Sequence, residues 1–273
     1  MAQITLFESV LKRDRFLIAA SLMIMAALSW AYMVYLAWNM RIMDMAEAVP
    51  RDVRGMVMTQ VMSWSIVDFA MTVVMWVVMM VAMMVPAAVP MVLLFATVNR
   101  KRRERQCPFI PTGVFLSGYL LVWWGFAILA ALAQWGLHQR ALLPSKMDGV
   151  PPVFGGVILI TAGIFQWTPL KSVCLKHCRT PLDHLVAHWR EGRRGALLMG
   201  VEHGVFCLGC CWFLMGLMFV AGVMNLVWMA GVAAYILIEK IIPERTWGNI
   251  VTWSVGAGMV IWGAWMVLVG QGS

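Results

Sequence analysis

Apolar residues fall into seven long runs separated by short polar segments, covering 16–38, 64–98, 113–134, 153–169, 196–220, 226–242 and 250–269. A helix rises about 1.5 Å per residue, so about 20 apolar residues match a hydrocarbon core of about 30 Å. The second run is longer than one crossing needs. Pro86 and Pro90 lie in its second half, where each removes a backbone donor and crowds the preceding turn, so a kink is expected there. The first run is too long for a signal peptide and lacks a small-residue cleavage site, so it is expected to persist as a span. The pattern predicts an all-α, polytopic transmembrane helix bundle of about seven spans, forming a single domain over residues 1–273. No internal repeat of 20 to 50 residues interrupts it.

Composition agrees with the pattern. The chain is 62% hydrophobic and 12% charged, with a mean hydropathy of +0.81. Soluble domains average about 45–50% apolar and about 25% charged. The formal charge of +8 acquires its meaning from where the basic residues sit. With the N-terminus inside, sixteen lie on inner segments: Lys12, Arg13, Arg15, the five of 100–105, Lys171, Lys176, Arg179, Arg190, Arg193, Arg194, Lys240 and Arg245. Five lie outside: Arg41, Arg51, Arg54, Arg140 and Lys146. The positive-inside rule therefore predicts the N-terminus inside and the C-terminus outside. No basic stripe interleaved with stacking aromatics exists, so the expected partner is the lipid bilayer and not nucleic acid.

Polar residues within apolar runs are costly and usually mark function. In the fifth run, His203, Cys207, Cys210 and Cys211 are offset by 4, 7 and 8 residues, which places them along one helical face. Cys207 is expected about 15 Å deep, near the bilayer midplane. Thiolates and imidazole suit copper(I), with zinc(II) as second choice. One helix cannot close a tetrahedral site, so a partner must contribute or the site is two- or three-coordinate. The second run offers Met71, Met75, Met79 and Met83 at four-residue spacing, with Met79 and Met83 at the depth of Cys207. Methionine is equally a flexible core filler, and the chain has 25. Gly200, Gly204 and Gly209 would let the two helices approach.

A second cluster, Cys174, His177 and Cys178, shares a face at the inner end of the fourth run and is expected to act as an inner relay. His184 and His188 form a weaker i, i+4 pair beyond it. Cys107 falls on the inner side, where thiols stay reduced. Residues 39–63 mix charges with six methionines, as an amphipathic surface helix or lid would. Asp68 reads as interfacial, Lys240 as snorkelling to the inner surface, and Glu239 as pairing with Arg194 or Lys171. Glu202 is placed to hydrogen-bond a ligating histidine. Phosphate-binding loops, a His-Glu-x-x-His helix and a phosphorylated-pump segment are absent, so ATP-driven transport by this chain alone is not expected, and an enzyme is the less favoured class. Cys207 and Cys210 have C-x-x-C spacing, but no thioredoxin-like βαβ pattern surrounds them.

Taken in order, Met75-Trp76-Val77-Val78-Met79-Met80-Val81-Ala82-Met83-Met84-Val85-Pro86 with Pro90, Thr168-Pro169-Leu170-Lys171 through Cys174 to Pro181, and Cys207-Leu208-Gly209-Cys210-Cys211-Trp212 with Glu239-Lys240 resemble a bacterial family of predicted metal-binding integral membrane proteins, a domain of unknown function. The likeness spans about residues 60–245 and implies a membrane-embedded metal site. The residues themselves point to soft-metal binding, copper(I) first, for uptake, storage or delivery to a membrane enzyme. His203, Cys207, Cys210 and Cys211 would be core ligands, with Met79 and Met83 beside them and Cys174, His177 and Cys178 as relay. A metal-receiving protein or other membrane subunits would be the partners. The alternative is a metal-free accessory subunit of a larger membrane complex.

Overall fold

The break between the fourth and fifth helices organises the site, and it begins with local chemistry. In the computed structural model, which describes residues 2–46, 65–104, 110–140, 150–180, 185, 187–242 and 248–270, α4 (Pro152–Gln166) ends at Trp167. A new helix, α5 (Pro169–Arg179), starts at once, with Pro169 in its first turn and the Thr168 hydroxyl accepting from the Lys171 amide. The two helices are bent by 64°.

The other described helices are α1 (Ala2–Ala46), α2 (Ile66–Glu104), α3 (Thr112–Gln139), α6 (Gly192–Gly216), α7 (Leu226–Ile241) and α8 (Asn249–Gly270). The chain is all-α among the described residues. Five helices (α1, α2, α3, α6 and α8) are long and apolar enough to cross a membrane, and six spans result if the bent α4–α5 pair counts as one. The expected seven thus reduce to five or six by length and composition. The difference lies in α7, whose 16 residues extend about 24 Å at the helical rise, short of the hydrocarbon core.

Each packing contact has a sequence cause. Ser65 and Asp68 cap α2 reciprocally, the Asp68 amide donating to the Ser65 hydroxyl and the Ser65 amide to the Asp68 carboxylate, both at 3.1 Å. This is a capping box, so Asp68 serves the helix end. Pro86 cannot donate to the Ala82 carbonyl, and the Trp30 indole of α1 does so instead at 3.1 Å. The helix α3 lies against α6 through small residues. A side chain at Gly200 would meet the Phe115 carbonyl at 2.0 Å, and one at Gly118 the Leu197 carbonyl at 2.2 Å. On the other side, α4 and α8 run antiparallel with Gly156 against Gly263 and Gly163 against Gly256.

Ion pairs join three helix ends. Asp14 of α1 pairs with Arg100 of α2, and Arg102 of α2 pairs with Glu191 at the start of α6. These pairs place Arg100 and Arg102 beside the first part of α1 and the start of α6. Cys107, His184, Lys146, Arg245 and residues 47–63 of the expected lid lie outside the described residues; residues 39–46 continue α1.

Candidate metal centre

The expected helical face on α6 is present and buried. His203 is 4% exposed, Cys207 0%, Cys210 2% and Cys211 1%. Its partner helix, however, is not α2. Among the described residues α6 packs along α3 and α5, whereas α2 and α6 share no extended contact. The glycines explain the difference: Gly200 and Gly204 fit α3, at Phe115 and Val122, and Gly209 accommodates the Cys174 thiol, which a Cβ there would meet at 2.9 Å.

The bend after α4 has a second consequence. Because α5 folds back along α6, Cys174 and Cys178 are brought beside the α6 thiols instead of forming a separate relay at the surface. The Cys178 thiol is close enough to Cys207 and Cys210 to interact with both. His177 stacks on Phe206 at 3.7 Å between centroids and lies 6.4 Å from the His203 ring. Two groups of residues read as separate in sequence are one cluster in space.

Cys207 is the hub of that cluster. The Lys240 ammonium donates to its sulfur at 2.9 Å, and the Tyr119 hydroxyl lies 3.2 Å from the same sulfur. Tyr119 also lies 3.1 Å from the Met84 carbonyl of α2, to which it donates, so α3 bridges α2 to the thiols. The Cys210 and Cys211 thiols turn back to the Cys207 carbonyl at 3.0 and 2.9 Å. Lys240 therefore does not snorkel to a surface; it points inward, where the sulfur offers a partner. Sequence reading missed Lys240 and Tyr119 as site residues. A lysine next to a glutamate within an apolar run was the signal available for the first.

Glu239, adjacent to Lys240, faces the other way on α7. Its carboxylate accepts from Lys171 at 2.7 and 2.8 Å, and from Tyr235 at 2.6 Å and Thr252 at 3.2 Å. Lys171 also donates to Gln166, and Arg179 to the Glu239 carbonyl at 2.8 Å. Of the two pairings expected for Glu239, Lys171 is the one formed. This buried network ties α4, α5, α7 and α8 together around the bend.

The methionines divide. Met75, Met79 and Met83 are 2% exposed or less, while Met71 is 60% exposed, so the four-residue stripe is only partly buried. Met79 and Met83 belong to the apolar core. Glu202 faces Arg190 at 3.8 Å.

No three His, Cys, Asp or Glu side chains among the described residues converge on a metal-holding point. The thiols are close to one another, yet their sulfurs are turned to carbonyl, ammonium and hydroxyl groups. The donor set nonetheless fits a soft ion. It offers several thiols from two helices, and the His203 Nδ1 is buried without a hydrogen-bond partner.

The family model described as PpoB2, copper chaperone, matches residues 73–266. The chain belongs to the PpoB2 copper chaperone family. The match runs from the methionine-bearing α2 through α8, and so contains all of the thiol cluster, Lys240 and the Glu239 network. No curated protein and no solved structure matches the chain.

Proposed function

We propose that the chain carries copper(I) as cargo within the membrane, held by thiolates of Cys178, Cys207 and Cys210, and hands it to a copper-receiving protein. The observation that carries this reading is the meeting of Cys178 on α5 with Cys207 and Cys210 on α6. Two or three thiolates from different helices suit copper(I) in low coordination, and family membership supports copper over zinc. Cys211, His203, Cys174 and His177 border the cluster and would complete or orient it. Met79 and Met83 would act as neighbouring core groups from α2.

Charge supports the same assignment. Copper(I) on three thiolates carries a net charge of −2, and the Lys240 ammonium offsets one unit of it in a medium where an unpaired charge is costly. For orientation, the basic bundle end formed by α1, α2 and α6 would face the cytoplasm of a bacterial inner membrane.

Metal analysis after anaerobic, chelator-free purification tests the reading. About one copper per chain is expected, with loss in Cys207→Ser/Cys210→Ser. Absence of copper from the wild-type chain, or an unchanged copper content in that double variant, refutes it.

A further inference from the structure

Two voids flank His203. The smaller, about 10 Å³, is bounded by His177, His188 and Glu202 among others, and would hold about one water. The larger, about 210 Å³, is bounded by Pro90, Cys178 and Lys240 among others. Two residues, Met91 of α2 and His203 of α6, line both voids. Each is 4% exposed, and the His203 Nδ1 is left without a hydrogen-bond partner.

Across the two voids these groups are chemically graded. His188 is exposed and Glu202 half-buried; together they present imidazole and carboxylate. Met91 and His203 then offer a thioether and an imidazole. Cys178, half-buried on the far side in the larger void, offers a thiol. For a soft monovalent ion each step provides a softer environment than the last, which favours movement toward the thiols without a deep trap on the way. The thioether is neutral, so it can contact a cation without adding charge to the interior, and its flexible side chain can move aside.

We propose that Met91 and His203 form the gate through which copper(I) passes between the His188–Glu202 vestibule and the thiol cluster. This rests on the copper-carrier reading above and adds a route to it. Sequence inspection gave no sign of Met91, one methionine among many; its position between the two voids is what singles it out.

The test uses the full chain in detergent or nanodiscs, loaded from the copper(I)–bicinchoninate complex. The loss of that complex's colour reports both the amount taken up and the rate. Met91→Leu keeps the volume and removes the sulfur, and His188→Gln changes only an exposed side chain, so the second variant stays informative if the first folds poorly. The expectation is wild-type copper content in both variants, with loading at least tenfold slower in Met91→Leu and several-fold slower in His188→Gln. Wild-type rates in both variants overturn the route while leaving the thiol site standing. A wild-type chain that takes up no copper overturns the route together with the carrier reading.

Discussion

The Lys240 ammonium of α7 and the Cys207 sulfur of α6 are 2.9 Å apart, although the two residues lie 33 positions apart in sequence. The Lys240 side chain is half-buried, so its charge is worth less than the about 3–5 kcal/mol typical of a fully buried pair, and about 1.4 kcal/mol is a factor of ten. Lys240→Met should therefore weaken copper(I) binding by roughly tenfold or more, through loss of the charge that partly offsets the copper thiolates. Lys240→Arg, which keeps the charge, should retain most of the affinity. Competition titration against bicinchoninate measures both, and equal affinities for Lys240→Met and wild type would remove Lys240 from the site.

On the opposite side of α7, the Lys171–Glu239 pair is 1% and 3% exposed and is surrounded by Tyr235, Thr252 and Gln166. Glu239→Gln should lower stability by about 3 kcal/mol, because it strands the Lys171 ammonium. Lys171→Met/Glu239→Leu should recover much of that loss, since no isolated charge remains. Thermal unfolding in detergent would show it as two shifted midpoints, the single variant lower than the double. The reverse order would mean that the network is not what fastens α5 to α7.

The α3–α6 interface makes a sharper demand. Gly200→Ala places a methyl group 2.0 Å from the Phe115 carbonyl oxygen, an atom of rigid backbone, so the helices must separate. Gly125 on α3, with open space around it, should accept alanine with a gain of about 0.5–1 kcal/mol. Monodisperse yield and thermal midpoint should thus move in opposite directions for two chemically identical substitutions. Since α6 carries the thiols and α3 carries Tyr119, Gly200→Ala should also reduce copper content.

The helical face of His203, Cys207, Cys210 and Cys211 was legible because α-helical spacing alone fixes it, and burial in an apolar run singled it out. The partner helix was not. Methionines at matching depth on α2 suggested one neighbour, but close approach is decided by where backbone is bare, and Gly200 and Gly204 turn out to face α3. The place of Cys174 and Cys178 was hidden for a related reason. A Thr-Pro pair signals a helix start, yet the direction of the new helix depends on a bend of 64° and on the Lys171–Glu239 pair, neither of which has a sequence period. Lys240 was misread because snorkelling is the usual fate of a lysine near a span's end; a sulfur within reach gave it a better one.

The Trp30 indole donates to the Ala82 carbonyl at 3.1 Å, and that carbonyl is available because Pro86, four residues on, has no N–H to offer it. An unpaired buried carbonyl costs about 1–3 kcal/mol, so Trp30→Phe should destabilise the α1–α2 contact by an amount in that range beyond the small loss of ring area. Pro86→Ala restores the helix's own donor. If the indole is there to satisfy the orphaned carbonyl, Trp30→Phe should cost less in the Pro86→Ala background than in the wild type, a positive coupling of about 1 kcal/mol in a double-mutant cycle. Additive effects in unfolding measurements would instead assign Trp30 to packing alone, with no role at the carbonyl that Pro86 leaves without its helical donor.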